Sequence, residues 1–496
     1  MNVSRNHLLH RLLGKREPAA PFLRLSSGET VTYGQFAELV AGRAHALVES
    51  GFQEGDRVVM MAAKRPEALV LYLAVVAAGG VFVPLNEGYT SAELDYFLGD
   101  SAPFLVACDG STADRAVAAA GKRNLPTIRL EDATAESPAG WIAATRGEHD
   151  LAALLYTSGT TGRSKGAMLT HGNLASNAAA LVEAWRFSSH DVLIHALPIF
   201  HTHGLFVATN VSLMAGASMI FLPRFDLDAV LAAFDGATVL MGVPTFYTRL
   251  AADDRCTRDK TAHMRLFVSG SAPLLEETHR AFFARTGHAI LERYGMTETN
   301  MITSNPYDGE RRPGTVGQPL PGVSLRIAQP TGDGIGGIEI RGPNVTPGYW
   351  RNPEKTAETF TDDGWFITGD LATVSQDGYV SIVGREKDLV ISGGYNIYPK
   401  EIEIEIDGLS GVVESAVFGL AHPDLGEAVS AAVVVENGAS IDERQIVASL
   451  SGRLARYKQP RFVAIVDALP RNAMGKVQKA ELRRIYADTF SKAKVR

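Results

Sequence analysis

Two cysteines, Cys108 and Cys256, are all the thiols among 496 residues. So few exclude a disulfide framework and a four-thiolate zinc site, and they fit a reducing, cytoplasmic setting. A basic surplus is also missing: 48 Lys and Arg stand against 55 Asp and Glu, a net charge of −7. Nucleic-acid partners call for the opposite balance, so none is expected. Heptads, low-complexity tracts and repeats of about 20–50 residues are absent, which excludes coiled coils and solenoids. The N-terminal stretch MNVSRNHLLHRLLGKREP has neither an apolar core nor a small-residue cleavage site. It does not read as a signal peptide. One uncharged run, Ala68 to Leu85, is long enough to raise a membrane span, but Gly79, Gly80 and Pro84 interrupt it. It reads instead as a buried helix running into a core strand, so no membrane partner is expected.

What is present is an ordinary globular composition, 46% hydrophobic and 21% charged. At about 150 residues per domain the length suggests three folding units. Helical and strand patterns alternate through the first two thirds, the mark of α/β layers on largely parallel sheets. From Gly314 to Gly348 short β runs alternate with Gly/Pro turns, predicting a small antiparallel, barrel-like region. An α/β pattern then returns, with VVESAVFGLAHPDLGEAVSAAVVV as paired strands. The fold class read from this is α/β. A large N-terminal domain of layered sheets, residues 1–386, carries the barrel-like subdomain. A small mobile α/β domain, residues 387–496, follows a hinge in the charged segment Gly384–Asp388.

Chemistry concentrates first in Tyr156-Thr157-Ser158-Gly159-Thr160-Thr161-Gly162-Arg163-Ser164-Lys165-Gly166, a loop leaving the apolar run LAALL. Glycines let successive backbone N–H groups turn toward one anion, hydroxyls add donors, and Lys165 adds a point charge suited to phosphate. Ser164 stands where a Walker loop needs glycine, so that motif fails. On composition alone a flexible surface loop fits equally well. Four more motifs follow: Tyr294-Gly295-Met296-Thr297-Glu298, Gly364-Trp365-Phe366-Ile367-Thr368-Gly369-Asp370, Gly384-Arg385-Glu386-Lys387-Asp388 and Pro470-Arg471-Asn472-Ala473-Met474-Gly475-Lys476. Taken singly they read as a polar loop, a turn aspartate, a solvated charge run and an exposed lysine.

In this order the five motifs resemble those of the adenylate-forming superfamily of acyl-CoA synthetases, luciferase-type enzymes and peptide-synthetase adenylation domains. The resemblance covers almost the whole chain. It implies that a carboxylate attacks the α-phosphate of ATP, releasing diphosphate, and that the acyl group then passes to the thiol of CoA. Such transfer needs charge neutralisation and in-line positioning more than covalent help. By resemblance, Thr157, Ser158, Gly159, Thr160, Thr161, Gly162 and Lys165 hold the phosphates, and Glu298 with Thr157 binds Mg²⁺. Thr297 touches the α-phosphate, Tyr294 lies on adenine, and Ser271, Ala272 and Glu292 complete the ATP set. Asp370 accepts hydrogen bonds from both ribose hydroxyls, and Arg385 reaches ribose or phosphate. Lys387 is the hinge, while Ser392, Gly393 and Gly394 approach the pantetheine arm of CoA. Lys476 bridges the substrate carboxylate and the adenylate oxygens. Thr297, Glu298 and Lys476 form the implied catalytic set. A lysine acetyltransferase acting on Lys476 would remove its charge and silence the first step. A monomer or weak dimer is expected.

The acyl substrate is read from other segments. Pro244 opens a predicted helix on which Arg249 sits a turn and a half along. A buried arginine beside an apolar tail would be an unpaired cation, whereas a second substrate carboxylate would pair it. Ser271 supplies a hydroxyl, His201 and His203 supply imidazoles, and Met301 is a candidate wall beside the acyl chain. Without family context Arg249 reads as a surface helix arginine. The stretches DVLIHALP, HTHGL, GVPTFYTR, SGSAPL, ERYGMTETNM and PRNAMGKVQK are similar to those of malonyl-CoA synthetases. In that subfamily the residues matching Arg249 and Ser271 bind the distal carboxylate. The expectation is a malonyl-CoA synthetase that uses ATP, CoA and Mg²⁺ and forms a malonyl-adenylate. Methylmalonate is also in range, since one methyl group is worth about 1–3 kcal/mol of discrimination. Two alternatives are a ligase for another short carboxylic acid and a module loading a carrier protein. No carrier-like segment follows Lys476.

Overall fold

The computed structural model describes residues 1–132, 137–157, 164–393, 395–436, 438–471 and 476–490. Cα proximity divides the chain into two compact units. The larger comprises Met1–Leu325, Ile340–Phe366 and Gln376–Val380; the smaller comprises Arg326–Glu339, Ile367–Ser375 and Ser381–Arg496. The chain passes between them more than once, within the β-rich segment after Gly314.

Two sheets organise the larger unit. One has nine strands, its centre built from Leu291–Met296, Leu266–Ser269, Val239–Gly242, Val192–His195, Ser218–Phe221 and Pro21–Leu25 in that order. These pair in parallel, and antiparallel strands close both edges. The other has six strands, in the order Thr127–Arg129, Leu105–Cys108, Arg57–Met61, Val81–Leu85, Leu151–Thr157 and Lys165–Thr170. Only its last pairing is antiparallel. The alternation of strand and helix patterns in the sequence has this origin, because parallel neighbours need a crossover between them.

The uncharged run from Ala68 forms the helix Pro66–Ala77, in which every residue from Ala68 to Ala77 is buried, and continues into the strand Val81–Leu85. A helix apolar all round belongs inside a large core. The one polar side chain between Ala68 and Ala77, Tyr72, is satisfied there by the Asn210 amide, which donates to the phenol oxygen at 3.2 Å. A charge at Leu71 or Leu73 would have no comparable partner. Among the described residues, no helix is long and apolar enough to cross a membrane.

The smaller unit carries two sheets. Four strands, Ser324–Ala328, Gly336–Arg341, Phe366–Val374 and Val380–Arg385, lie side by side in chain order. In the second, the long strands Val412–His422 and Gly426–Val435 pair antiparallel, as the sequence pattern predicts. The helix Pro399–Asp407 buries Ile402 and Ile406 in the same core as Val417, Val429 and Val433.

Candidate active site

Four adjacent parallel strands of the nine-stranded sheet, Val192–His195, Val239–Gly242, Leu266–Ser269 and Leu291–Met296, run their C-terminal ends toward one rim. In open α/β sheets that rim is where ligands bind. His203 begins a π-helical segment, His203–Thr209, and is 5% exposed. Its Nδ1 lies 3.1 Å from Ser271 Oγ. Ser271 has φ +73°, a left-handed backbone that is strained for serine.

Beside them stands a residue the sequence analysis passed over. Arg293 is 3% exposed, and its Nε and Nη2 have no hydrogen-bond partner among the described residues. Loss of hydration pulls its pKa down to about 9, with Tyr247 opposing. A Cβ on Gly270 would fall 2.3 Å from the guanidinium carbon, so glycine alone lets the cation reach this loop. His203 Nε2, Thr202 Oγ1 and Ser269 Oγ are also buried without partners. Burial and then Arg293 hold the His203 pKa well below its ordinary value, so the ring is neutral. Buried polar groups are usually paired; here a cation and several donors share one place. An anionic ligand satisfies them together. Arg293 lies inside the ERYGMTET motif, and strand alternation puts it on the face opposite Glu292 and Tyr294. A charge there, after Leu291 in a buried strand, was the signal available.

Arg249 sits on the helix Pro244–Ala252, which opens with proline as predicted. It is exposed, its guanidinium 5.8 Å above the Phe225 ring, and Phe225 stacks on Phe246 at 4.0 Å. The burial on which the sequence argument rested for Arg249 therefore belongs to Arg293. Met301 is 2% exposed and faces Gly295 across a hairpin. Its N–H donates to Asn177 Oδ1 at 3.2 Å and its carbonyl accepts from Asn177 Nδ2 at 2.8 Å, which fixes its backbone in place. His201 is partly buried, with Phe200 4.8 Å away.

The phosphate motif spans the turn of a strand pair. Thr157 and Lys165 face each other at the end of the antiparallel pair Leu151–Thr157 and Lys165–Thr170. Ser158, Gly159, Thr160, Thr161 and Gly162 lie outside the described residues. Lys165 Nζ stands 5.7 Å from the Tyr349 ring, and burial followed by Lys355 lowers its pKa against the pull of Glu358 and Glu298. Tyr349 donates its hydroxyl to Glu298 Oε1 at 2.9 Å, while the Thr346 N–H donates to the Glu298 carbonyl at 2.7 Å. Burial and then Glu298 push the Tyr349 pKa up, keeping the phenol protonated as that donor. Glu298 is 6% exposed and, with Thr297, forms the turn between Leu291–Met296 and Asn300–Ser304. Tyr294 is partly buried on that hairpin and Ala272 is exposed. Glu292 accepts from the Leu274 N–H at 3.3 Å. Among the described residues no three His, Cys, Asp or Glu side chains cluster as a metal cage. One carboxylate fits Mg²⁺, which takes its other oxygens from phosphates and water.

In the smaller unit Asp370, 3% exposed, accepts an ion pair from Arg385 Nε at 2.8 Å. Lys387 lies in the short 3₁₀ turn Glu386–Asp388, and burial followed by Arg385 lowers its pKa to about 8. Ser392 is buried at the end of the strand Val390–Ser392, and the Gly393 N–H donates to the Leu425 carbonyl at 2.9 Å. Gly394 lies outside the described residues. Lys476 is exposed beside an isolated bridge between Arg471 and Val477. The intervening residues 472–475 are outside the described set.

The AMP-binding enzyme signature matches residues 13–350, and the AMP-binding enzyme C-terminal domain matches 401–476. The chain is 38% identical to a feruloyl-CoA synthase from Amycolatopsis sp, covering 92% of this chain and 94% of that one. It is 38% identical to a malonate–CoA ligase from Arabidopsis thaliana, covering 88% and 78%. The structure matches that of ATP-bound MatB from Rhodopseudomonas palustris with a TM-score of 0.95 and 55% identity, over 99% of this chain and 100% of that one.

Proposed function

The chain belongs to the AMP-binding enzyme family, and from that membership we propose that it is an ATP-dependent malonate–CoA ligase. It is an AMP-forming acid–CoA ligase, and the choice of malonate rests on one observation: Arg293 is a buried cation with open donors beside His203 and Ser271. A monocarboxylic acid leaves that cation uncompensated, at a cost of several kcal/mol. A dicarboxylate pairs it, and Arg249, above Phe225 on the exposed side, adds a second charge for the same group.

In this reading one malonate oxygen attacks the α-phosphorus of ATP, and the bond to diphosphate breaks. The CoA sulfur then attacks the acyl carbon and AMP leaves. Lys165 and the Thr157 loop hold the phosphates, with Thr297 at the α-phosphate and Tyr294 against adenine. Glu298, oriented by Tyr349, would hold Mg²⁺, which neutralises phosphate charge as diphosphate departs. Asp370 and Arg385 serve the ribose, Ser392 and Gly393 the pantetheine arm. Lys476 stabilises the adenylation transition state, and rotation about Lys387, between residues 1–386 and 387–496, carries it away for the second step. Work in the cytoplasm as a monomer or weak dimer, and silencing by acetylation of Lys476, belong to the same proposal.

A substrate panel read by diphosphate release with CoA present tests it. Malonate should give the highest specificity constant, methylmalonate the next, and acetate a value far behind. The feruloyl-CoA synthase relative makes ferulate the informative competitor. Ferulate, acetate or octanoate matching malonate would overturn the choice of acid and leave the ligase.

A further inference from the structure

A lysine that none of the five motifs contains connects the six-stranded sheet to the acyl rim. Lys64 follows the strand Arg57–Met61 and precedes the helix Pro66–Ala77. Its Nζ lies 2.8 Å from His195 Nδ1, donates to the His195 carbonyl at 2.6 Å, and stands 4.4 Å over the Phe221 ring. Among the described residues no salt bridge to a carboxylate accompanies these contacts. A charged amine can only donate and so makes Nδ1 the acceptor; a neutral one, already donating to the His195 carbonyl, keeps that pattern because Nε2 faces the Gly204 carbonyl, which cannot donate.

His195 ends the strand Val192–His195 and is fully buried. With Nδ1 accepting, a neutral ring carries its hydrogen on Nε2. Nε2 lies 2.9 Å from the Gly204 carbonyl, which also accepts from Thr209 Oγ1 at 3.0 Å. That carbonyl sits in the first turn of the π-helical segment His203–Thr209, a geometry found mostly at functional sites. Gly204 is pressed against the preceding loop, where a Cβ would come 2.0 Å from the Pro198 carbonyl oxygen. His203, one residue earlier, faces Ser271.

We propose that Lys64 is a positioning residue for the acyl pocket. It holds His195 in the Nε2–H tautomer, and His195 pins the Gly204 carbonyl so that the π-turn presents His203 to Ser271 and the substrate. This rests on the reading of His203, Ser271 and Arg293 as the acyl pocket. The contacts of Lys64 are to His195 and Phe221, so it acts through His195. A lysine that only filled space would leave the imidazole tautomer to the Gly204 carbonyl alone, and that difference is measurable. Burial, then the Lys64 charge, hold His195 far below its ordinary pKa, so the ring stays neutral and its tautomer is what the measurement reads.

The test uses the full chain labelled with ¹⁵N-histidine. Wild-type His195 should show a protonated Nε2 and an accepting Nδ1; a protonated Nδ1 overturns the proposal without any variant. Lys64→Met should shift that tautomer signal and raise the malonate KM about tenfold, with the ATP KM changing less than about twofold. Lys64→Arg keeps two donors and should restore the malonate KM to within about threefold. Equal rises in both KM values, or a malonate KM unmoved in Lys64→Met while Arg293→Met raises it, overturn the positioning role alone. A malonate KM unmoved in both Arg293→Met and His203→Ala overturns the acyl-pocket reading instead, and the positioning role with it. Should Lys64→Met fail to fold, the wild-type tautomer and the Lys64→Arg kinetics still decide.

Discussion

The Arg293 rim of the larger unit and the Asp370–Arg385 pair of the smaller one hold their charges in opposite ways. Arg293 is buried with open donors and no carboxylate, whereas Asp370, equally buried, already holds Arg385 at 2.8 Å. A ligand entering the first region relieves a cost the fold has been carrying. At the second it must share or replace an existing partner. The difference separates a cation that waits for its partner from a carboxylate that already holds one. Uncompensated burial marks specificity, and compensated burial marks a preorganised frame.

Lys476, an exposed cation of the smaller unit, tests the comparison most severely. Lys476→Ala should lower malonyl-adenylate formation about 10²–10³-fold, the typical worth of one transition-state donor. Supplied malonyl-adenylate and CoA should still give malonyl-CoA. Lys387→Pro should do the reverse, because fixing φ hinders rotation at the hinge. Equal loss of both half-reactions in each variant would remove the switching role from this unit.

Arg293→Met comes next. Malonate turnover should fall about 10²–10³-fold, while ligand-free stability rises by about 1–3 kcal/mol, because an unpaired buried cation gives way to an apolar side chain. Calorimetry beside kinetics reads both. A variant that lost activity and stability together would make Arg293 a structural residue and dissolve the contrast with Asp370.

Smaller effects are expected at the rim. Arg249→Ala should remove much of the malonate activity, by about 10–100-fold. Ser271→Ala should cost about 1–2 kcal/mol, the worth of one hydrogen bond. If Arg249→Ala leaves malonate kinetics intact, the exposed cation takes no part and Arg293 carries the carboxylate alone.

The smallest effect concerns a carboxylate that breaks the pattern of the smaller unit. Asp407 has Ser415 as its hydrogen-bond donor at 2.7 Å, and burial raises its pKa to about 6, opposed by Ser415 and Lys400. A raised folded-state value means stability present below the unfolded pKa, near 3.8, and lost as pH climbs through about 6. Asp407→Asn should flatten that slope and gain about 1–2 kcal/mol at pH 8, discounted for partial exposure, with activity unchanged. A thermal-unfolding series between pH 4 and 8 on both proteins checks the sign. Identical slopes would show that water reaches this carboxylate after all.

How far the sequence alone reached follows from the range of the forces involved. The alternation of strand and helix, the proline-opened helix of Arg249, the buried run from Ala68 and the paired strands Val412–His422 and Gly426–Val435 were all legible. They depend on periodicity, turn residues and caps, which act within a few residues. The five motifs were legible for the same reason, since a hairpin turn such as Thr297-Glu298 carries its chemistry in contiguous residues. Tertiary structure alone decided which arginine is buried, because desolvation sums over neighbours from remote segments: Arg293 loses water to Gly270, Tyr247 and His203 together. It also decided that Tyr349 orients Glu298 from 51 residues away and that Lys64 reaches His195 across 131. Hydrogen bonds form wherever folding brings donor to acceptor, and no local window of sequence contains both ends.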